Sequence, residues 1–259
     1  MLEKDSEWIL PENLKKQETI DRKKINGGSF EVGDFGSYYA YRKGINSDII
    51  KSHAISDDKI AFNYARSLRY FLLSHGCGEL KGNILDIGCA IGTITNAIHH
   101  FNKNGNTYGL DISEDAVAFA REKYPLCRFY NQSATKLNNF EDDFFDIIHA
   151  REFYPFTRTN DDEYQLEYLR LFYQKLKKNG LIILQMVAKE KGFCNRFKDM
   201  KKEITGIGYT DIIRKTTVPI KVVSLFGDSL SNRIIYNAVN YFSDVIKGRD
   251  IGYFYALKK

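Results

Sequence analysis

The sequence predicts an α/β protein built on a doubly wound, mostly parallel sheet with helices on both faces. Three observations carry this expectation. Between residues 83 and 187, segments of strand and helix character alternate with short connections. The strand segments, such as Ile84-Leu85 and Leu181-Ile182-Ile183-Leu184, are too apolar to face water on either side, which suits a parallel sheet covered by helices. Finally, Ile84-Leu85-Asp86-Ile87 breaks into the small-residue run Gly88-Cys89-Ala90-Ile91-Gly92 just before a helix begins at Thr93.

Taken in order, residues 1–55 form an arm outside the main domain. Its first 24 residues balance acids against bases, with Trp8, Ile9 and Leu10 as apolar pins, and residues 27–41 turn to glycine and aromatics. Residues 56–259 form the domain, with an insertion at 218–248. Ser56 or Asp57 caps a helix whose Ile60, Tyr64, Leu68, Phe71 and Leu72 recur at helical spacing up to Gly76. Strands follow at 83–87, 107–110, 128–131 and 145–150, separated by helices at 93–101 and 114–124. Asn160 and Glu163 make a capping box for a helix to Lys178, which Gly180 stops, and 181–187 is a buried strand. A helix near 193–204, a strand near 209–214 and a last strand at 251–257 complete the pattern. In the insertion, Ile234, Ile235, Ala238, Val239, Phe242, Val245 and Ile246 trace one helix face that serves either the core or a homodimer surface.

Composition narrows the function. Of 259 residues, 43% are hydrophobic and 27% charged, which is ordinary for a packed, water-facing domain. The net charge of +5 comes from 38 basic and 33 acidic residues interleaved along the chain, so no basic block marks a nucleic-acid partner. Cys77, Cys89, Cys127 and Cys194 contain no C-x-x-C pair and read as reduced core thiols. No stretch of about eighteen apolar residues exists to span a membrane, and a cytoplasmic protein is expected.

The loop at Gly88 to Gly92 lets a ligand approach the backbone, and the helix start beyond it favours an electron-rich group. A dinucleotide fingerprint would place glycines at 88, 90 and 93, but the residues are Gly, Ala and Thr. A P-loop would need Gly-Lys-Ser/Thr, and none follows. Asp111, at the end of the second strand, is placed to accept both hydroxyl hydrogens of a ribose. A ribonucleoside ligand is therefore expected.

With these residues in place, the sequence resembles the class I S-adenosylmethionine-dependent methyltransferases. Their acid-x-Gly-x-Gly-x-Gly motif falls on Asp86, Gly88, Ala90 and Gly92, and their ribose-binding acid on Asp111, with Ile112 beside it. Two departures stand out: Ala90 replaces the middle glycine, and Ser133, followed by Ala134, stands where an aspartate commonly holds the adenine amino group. The resemblance implies S-adenosylmethionine as cofactor and a seven-stranded Rossmann-like sheet whose last strand runs antiparallel between its neighbours. It also implies that Ala150 and Arg151 flank the methionine part.

A hydroxyl acceptor needs a base, and the same resemblance leaves Glu152, His149 and Tyr154 near the methyl group as catalytic candidates. His99 and His100 lie away from the strand ends and read as structural. Glu152-Phe153-Tyr154-Pro155-Phe156 departs from the Asn/Asp-Pro-Pro-aromatic motif of amide and base N-methylation, and no cluster of acids and histidines has metal-ligand spacing. Tyr38, Tyr39, Tyr41 and Arg42 can close as a lid over a small polar substrate, Arg42 meeting a phosphate or carboxylate. The expected reaction is O-methylation of a small polar metabolite, such as a sugar or sugar nucleotide of a surface-polysaccharide pathway. The alternatives are an N- or C-methyltransferase of another small molecule or an RNA base, a non-catalytic nucleoside-binding module, and, least fitting, a nicotinamide oxidoreductase.

Overall fold

The computed structural model describes residues 57–157, 162–187, 196–218, 220–225, 232–245 and 252–259. The N-terminal arm with Tyr38, Tyr39, Tyr41 and Arg42 lies outside them, as do Asn160 and Cys194. Helix α1 (Asp58–Ser74) starts where the Asp57 carboxylate accepts the Ile60 N–H at 2.8 Å, satisfying one of the open donors of the first turn. It ends against Gly76, whose φ of +70° turns the chain away. Ala61, Tyr64, Leu68, Phe71 and Leu72 bury one face of α1, whereas Ile60, expected in the same stripe, is exposed.

Strand β1 (Asn83–Ile87) leads through the small-residue loop into α2 (Thr93–Phe101), and β2 (Asn106–Asp111) into α3 (Glu114–Lys123); β3 (Arg128–Asn131) and β4 (Phe145–Arg151) follow. A one-turn helix α4 (Tyr154–Thr157) then leads to α5 (Asp162–Lys175) and β5 (Leu176–Val187). Here the sequence expectation needs correcting. The helix stops at Lys175, because Leu176 is already paired with Phe145 of β4, and residues 176–178, read as the end of the helix, are strand. Lys175 holds the junction by donating to the Phe140 carbonyl and the Asp142 carboxylate.

Short helices α6 (Arg196–Asp199) and α7 (Lys201–Ile207), strand β6 (Asp211–Thr216), helices α8 (Ile220–Val223) and α9 (Asn232–Val245), and β7 (Gly252–Lys258) complete the described chain. The seven strands lie in the order β3-β2-β1-β4-β5-β7-β6. Pairs from β3 to β5 are parallel, and β7 runs antiparallel between β5 and β6. The expected sheet is thus observed, and the order reverses between β1 and β4, where α/β sheets open a crevice at their carboxyl ends.

Alternating residues feed two cores. Leu85, Ile87, Ile148, Ala150, Ile182 and Leu184 pack beneath α5 to α7, whereas Ile84, Ile147, Ile183 and Phe254 pack beneath α1, α2 and α9. In α9 the described side chains facing the core are Tyr236, Val239 and Asn240, while Ile234 and Ile235 of the expected apolar stripe face solvent. The Tyr236 ring stacks on Tyr70 at 5.6 Å and fixes that orientation. We therefore expect Tyr236→Ala to cost about 3 kcal/mol in urea unfolding, and Ile234→Asp to change stability by no more than about 0.5 kcal/mol. Equal losses would mean that α9 packs the other way round.

Candidate functional site

The loop between β1 and α2 uses left-handed backbone at every second residue: Gly88 at φ +69°, Ala90 at +50° and Gly92 at +78°. Only Gly88 and Gly92 adopt this freely; at Ala90 the methyl group costs about 1 kcal/mol. The N–H groups of Gly88 and Cys89 both donate to the Leu110 carbonyl, at 2.8 and 3.0 Å, fastening the loop across the end of β2. A Cβ at Gly92 would strike Phe129 and Ala120 at under 3 Å, so core packing already requires that glycine. Above Gly88 the nearest atom to such a Cβ is Phe153 at 3.5 Å, which leaves the backbone approachable.

Asp111 closes the other side of this cradle. Its Oδ2 accepts the Ala90 N–H at 2.8 Å and its Oδ1 the Ser113 N–H at 2.9 Å, so the expected ribose acid also holds Ala90 in its strained conformation. No cation pairs with it among the described residues. Burial pushes its carboxyl from the ordinary 3.8 up to about 6, against the opposing pull of those N–H groups. Ile112 next to it is exposed. Ser133 and Ala134 lie just beyond β3, whose Asn131 is in register with Asp111. The Ser133 hydroxyl meets the Thr135 hydroxyl at 2.8 Å and accepts the Thr135 N–H, a local turn that already engages it.

Asp86 behaves differently from the expectation of a ligand contact. It is 2% exposed, and both carboxylate oxygens are taken: Oδ2 accepts from the Thr95 hydroxyl at 2.6 Å, and Oδ1 lies 2.7 Å from His149 Nδ1. His149 Nε2 lies 2.8 Å from the Tyr64 hydroxyl on α1. Burial raises the Tyr64 phenol well above its usual range despite the nearby Arg151 guanidinium, so the O–H keeps its proton and donates to Nε2. Nδ1 is then the donor to Asp86. With no exposed surface and both nitrogens committed, His149 has nothing left to offer an acceptor as a base, which corrects that expectation. It braces the loop instead.

At the end of β4, Ala150 faces the α5 core, while Arg151 points to the opposite face and lays its guanidinium 5.7 Å from the Tyr64 ring centre. Glu152 is half-buried and left-handed at φ +50°, a conformation that costs a non-glycine residue about 1 kcal/mol or more and clusters at functional sites. Its N–H is tied to the Gln185 carbonyl at 2.9 Å. Tyr154 begins α4; its side chain lies outside the described residues. Asp86, Gly88, Ala90, Gly92, Asp111, Ala150, Arg151 and Glu152 therefore share the carboxyl end of β1, β2 and β4. Among the described residues no group of acids, histidines and cysteines is arranged to hold a metal ion, and no helix is long and apolar enough to cross a membrane.

Three participants escaped the sequence reading. Tyr64 sits in the apolar stripe of α1 and reads as core, and Thr95 lies inside a helix. Gln185 did carry a signal, a lone polar side chain within the buried run Leu181 to Val187.

This constellation, a nucleoside-sized cradle at the switch point of an α/β sheet, is that of the methyltransferases. The chain belongs to the methyltransferase domain family, which it matches over residues 80–239. No curated protein matches it in sequence. Solved structures with the same fold include a SAM-dependent methyltransferase from Archaeoglobus fulgidus, at 19% identity and a TM-score of 0.51, with 86% of this chain and 99% of that one covered. The N-methyltransferase NodS of Bradyrhizobium japonicum, bound to S-adenosylhomocysteine, is 13% identical with a TM-score of 0.52, over 86% and 97% of the two chains. Phosphoethanolamine N-methyltransferase 2 of Haemonchus contortus, bound to phosphomonomethylethanolamine and S-adenosylhomocysteine, is 17% identical with a TM-score of 0.50. The match covers 76% of this chain and 52% of that one, so the chain spans about half its length.

Two outcomes follow from the geometry. Tyr64→Phe strips the donor from His149 Nε2 and should cost about 1–3 kcal/mol of stability; calorimetric unfolding checks this, and an unchanged midpoint would remove Tyr64 from the brace. The folded state binds the Asp111 proton more tightly than the unfolded chain, so protonation stabilises the fold. That stabilisation, about 3 kcal/mol for a rise from 3.8 to about 6, is complete below pH 4 and lost as pH climbs to about 6. Urea unfolding of wild type and Asp111→Asn across this window should diverge, and parallel curves would refute the assignment.

Proposed function

We propose that this methyltransferase transfers the methyl group of S-adenosylmethionine to a hydroxyl of a small polar metabolite, of the sugar or sugar-nucleotide kind, with Glu152 as general base. The cradle suits that cofactor. Gly88 leaves its backbone open, Asp111 has lone pairs left for ribose hydroxyls, and Ile112 offers an exposed apolar face beside it for the base. In this reading Ser133 and Ala134 are assigned to the adenine, Gly88 to Gly92 to the centre of the cofactor and Ala150 to its methionine part. When bound, S-adenosylmethionine supplies a methyl group activated by its sulfonium for in-line displacement.

The protein's remaining tasks are to orient the acceptor, exclude water and take up its proton. The observation that carries the base assignment is Glu152 itself: a strained, half-buried carboxylate at the carboxyl end of β4, on the strand next to the cofactor loop. As the acceptor oxygen becomes the nucleophile, Glu152 receives the hydroxyl proton. Tyr154, the first residue of the helix just beyond, is proposed to orient the acceptor. In the arm, Tyr38, Tyr39 and Arg42 are proposed to cover the acceptor, Arg42 meeting its charge. The N-methyltransferases among the structural relatives make an amine the second acceptor to test.

The reading is tested by incubating the protein with S-adenosylmethionine and panels of sugars, sugar nucleotides and small amines, with product masses as readout. Glu152→Gln should lower turnover roughly 10²–10⁴-fold with little change in S-adenosylhomocysteine affinity. Near-normal turnover with weakened cofactor binding would place Glu152 at the methionine end. Asp111→Ala should cost about 1–3 kcal/mol of cofactor affinity by calorimetry, and unchanged affinity would mean the ribose lies elsewhere.

A further inference from the structure

Across the tips of β4 and β5, two polar side chains each carry a buried atom that no partner satisfies. Arg151 and Gln185 are partners in the parallel register, so their side chains leave the sheet on the same face. That face is the α1 side: His149, two residues before Arg151, bonds Tyr64, and Ile183, two before Gln185, packs in the α1 core. Arg151 Nε and Gln185 Oε1 are sealed from solvent and have no hydrogen-bond partner. Gln185 as a whole is 4% exposed. No carboxylate of the described residues lies within ion-pairing reach of Arg151; Asp86, the nearest acid on this face of β1, has both oxygens occupied.

Buried polar atoms left unpaired destabilise a fold, and native proteins retain few of them without a use. Here two sit side by side on adjacent strands, about 5 Å apart in the sheet. One belongs to a guanidinium that lies over the Tyr64 ring but makes no hydrogen bond or ion pair with the described residues, the group best shaped to hold a carboxylate or phosphate through two parallel hydrogen bonds. The other is an amide oxygen that needs a donor. Their position separates them from the nucleoside cradle, which belongs to β1 and β2, whereas this pair spans β4 and β5.

We propose that Arg151 and Gln185 form the acceptor subsite: Arg151 binds a phosphate or carboxylate of the methyl acceptor, and Gln185 accepts a hydrogen bond from a hydroxyl next to it. The inference rests on the methyl-transfer reading above and narrows it to anionic, hydroxylated acceptors. It takes Arg151 away from the methionine part of the cofactor, where the family pattern places it. An anion at Arg151 has two sources, the acceptor or the cofactor's own α-carboxylate, and the test separates them.

Inorganic phosphate is titrated calorimetrically into the full-length protein saturated with S-adenosylhomocysteine, and the product itself is titrated in parallel, for wild type, Arg151→Met, Arg151→Lys and Gln185→Met. Wild type should bind phosphate. Arg151→Met should weaken phosphate at least 10-fold and S-adenosylhomocysteine less than about threefold, Arg151→Lys should retain part of the phosphate binding, and Gln185→Met should spare it. Because methionine replaces an unsatisfied buried amide with an apolar group, Gln185→Met should unfold about 2–4 °C higher, and a cooperative thermal transition for each Arg151 variant reports that it folds. Loss of product affinity in step with phosphate would assign the anion to the cofactor and overturn the proposal. Product binding without phosphate binding in wild type would overturn it while leaving the methyl-transfer reading intact. Absence of product binding would sink that reading first and this inference with it.

Discussion

The structure depends on how one carboxylate, that of Asp86, is satisfied out of reach of water. A carboxylate buried at the end of a strand is unfavourable unless its oxygens are matched by donors. Thr95 supplies one from α2 and His149 the other from β4, with Tyr64 of α1 completing the line. The loop from Gly88 to Gly92 lies between Asp86 and Thr95, so the 2.6 Å bond between them closes it into a short ring. Within that ring, the left-handed residues have little freedom to relax. The cradle is thus shaped before any ligand arrives, which limits the ordering cost of binding.

Asp111 shows the complementary arrangement. Where Asp86 is fully matched inside the protein, Asp111 is buried and, among the described residues, meets no counter-charge and only backbone donors, and burial pushes its carboxyl up. The two acids stand near the ends of neighbouring strands, and the charge of Asp86 adds to the rise at Asp111. One is committed to the shape of the loop, and the other keeps lone pairs free. Sites that bind ligands commonly accept such instability, and the strained Ala90 and Glu152 belong to the same pattern.

Much of the fold was legible because the strands are buried on both faces and the turns are chemically explicit. Asn83–Ile87, Thr93–Phe101 and Arg128–Asn131 coincide with their elements, and the Asp57 cap forms as its side chain suggests. The junction at Lys175 was not legible, because β5 starts at Leu176 through pairing with Phe145, a contact 31 residues away that local pattern does not encode. The face of α9 was misread for a related reason. Isoleucines advertise burial more loudly than tyrosine and asparagine, yet Tyr236 and Asn240 find partners in the core and Ile234 does not. In the site, the sequence pointed to the residues of the cradle but not to the division of labour among them. His149 and Asp86 look like reactive groups in one dimension, and only the three-dimensional brace shows that their hydrogen-bonding capacity is already used.

The placement of β7 has a consequence for how the chain reaches this state. Because β7 inserts between β5 and β6, the outer edge of β5 stays unpaired until residues 252–258 arrive, well after the β1 to β5 half of the sheet has formed. During that interval an apolar strand, Leu181 to Met186, presents open backbone groups at an edge, a template for pairing with another chain.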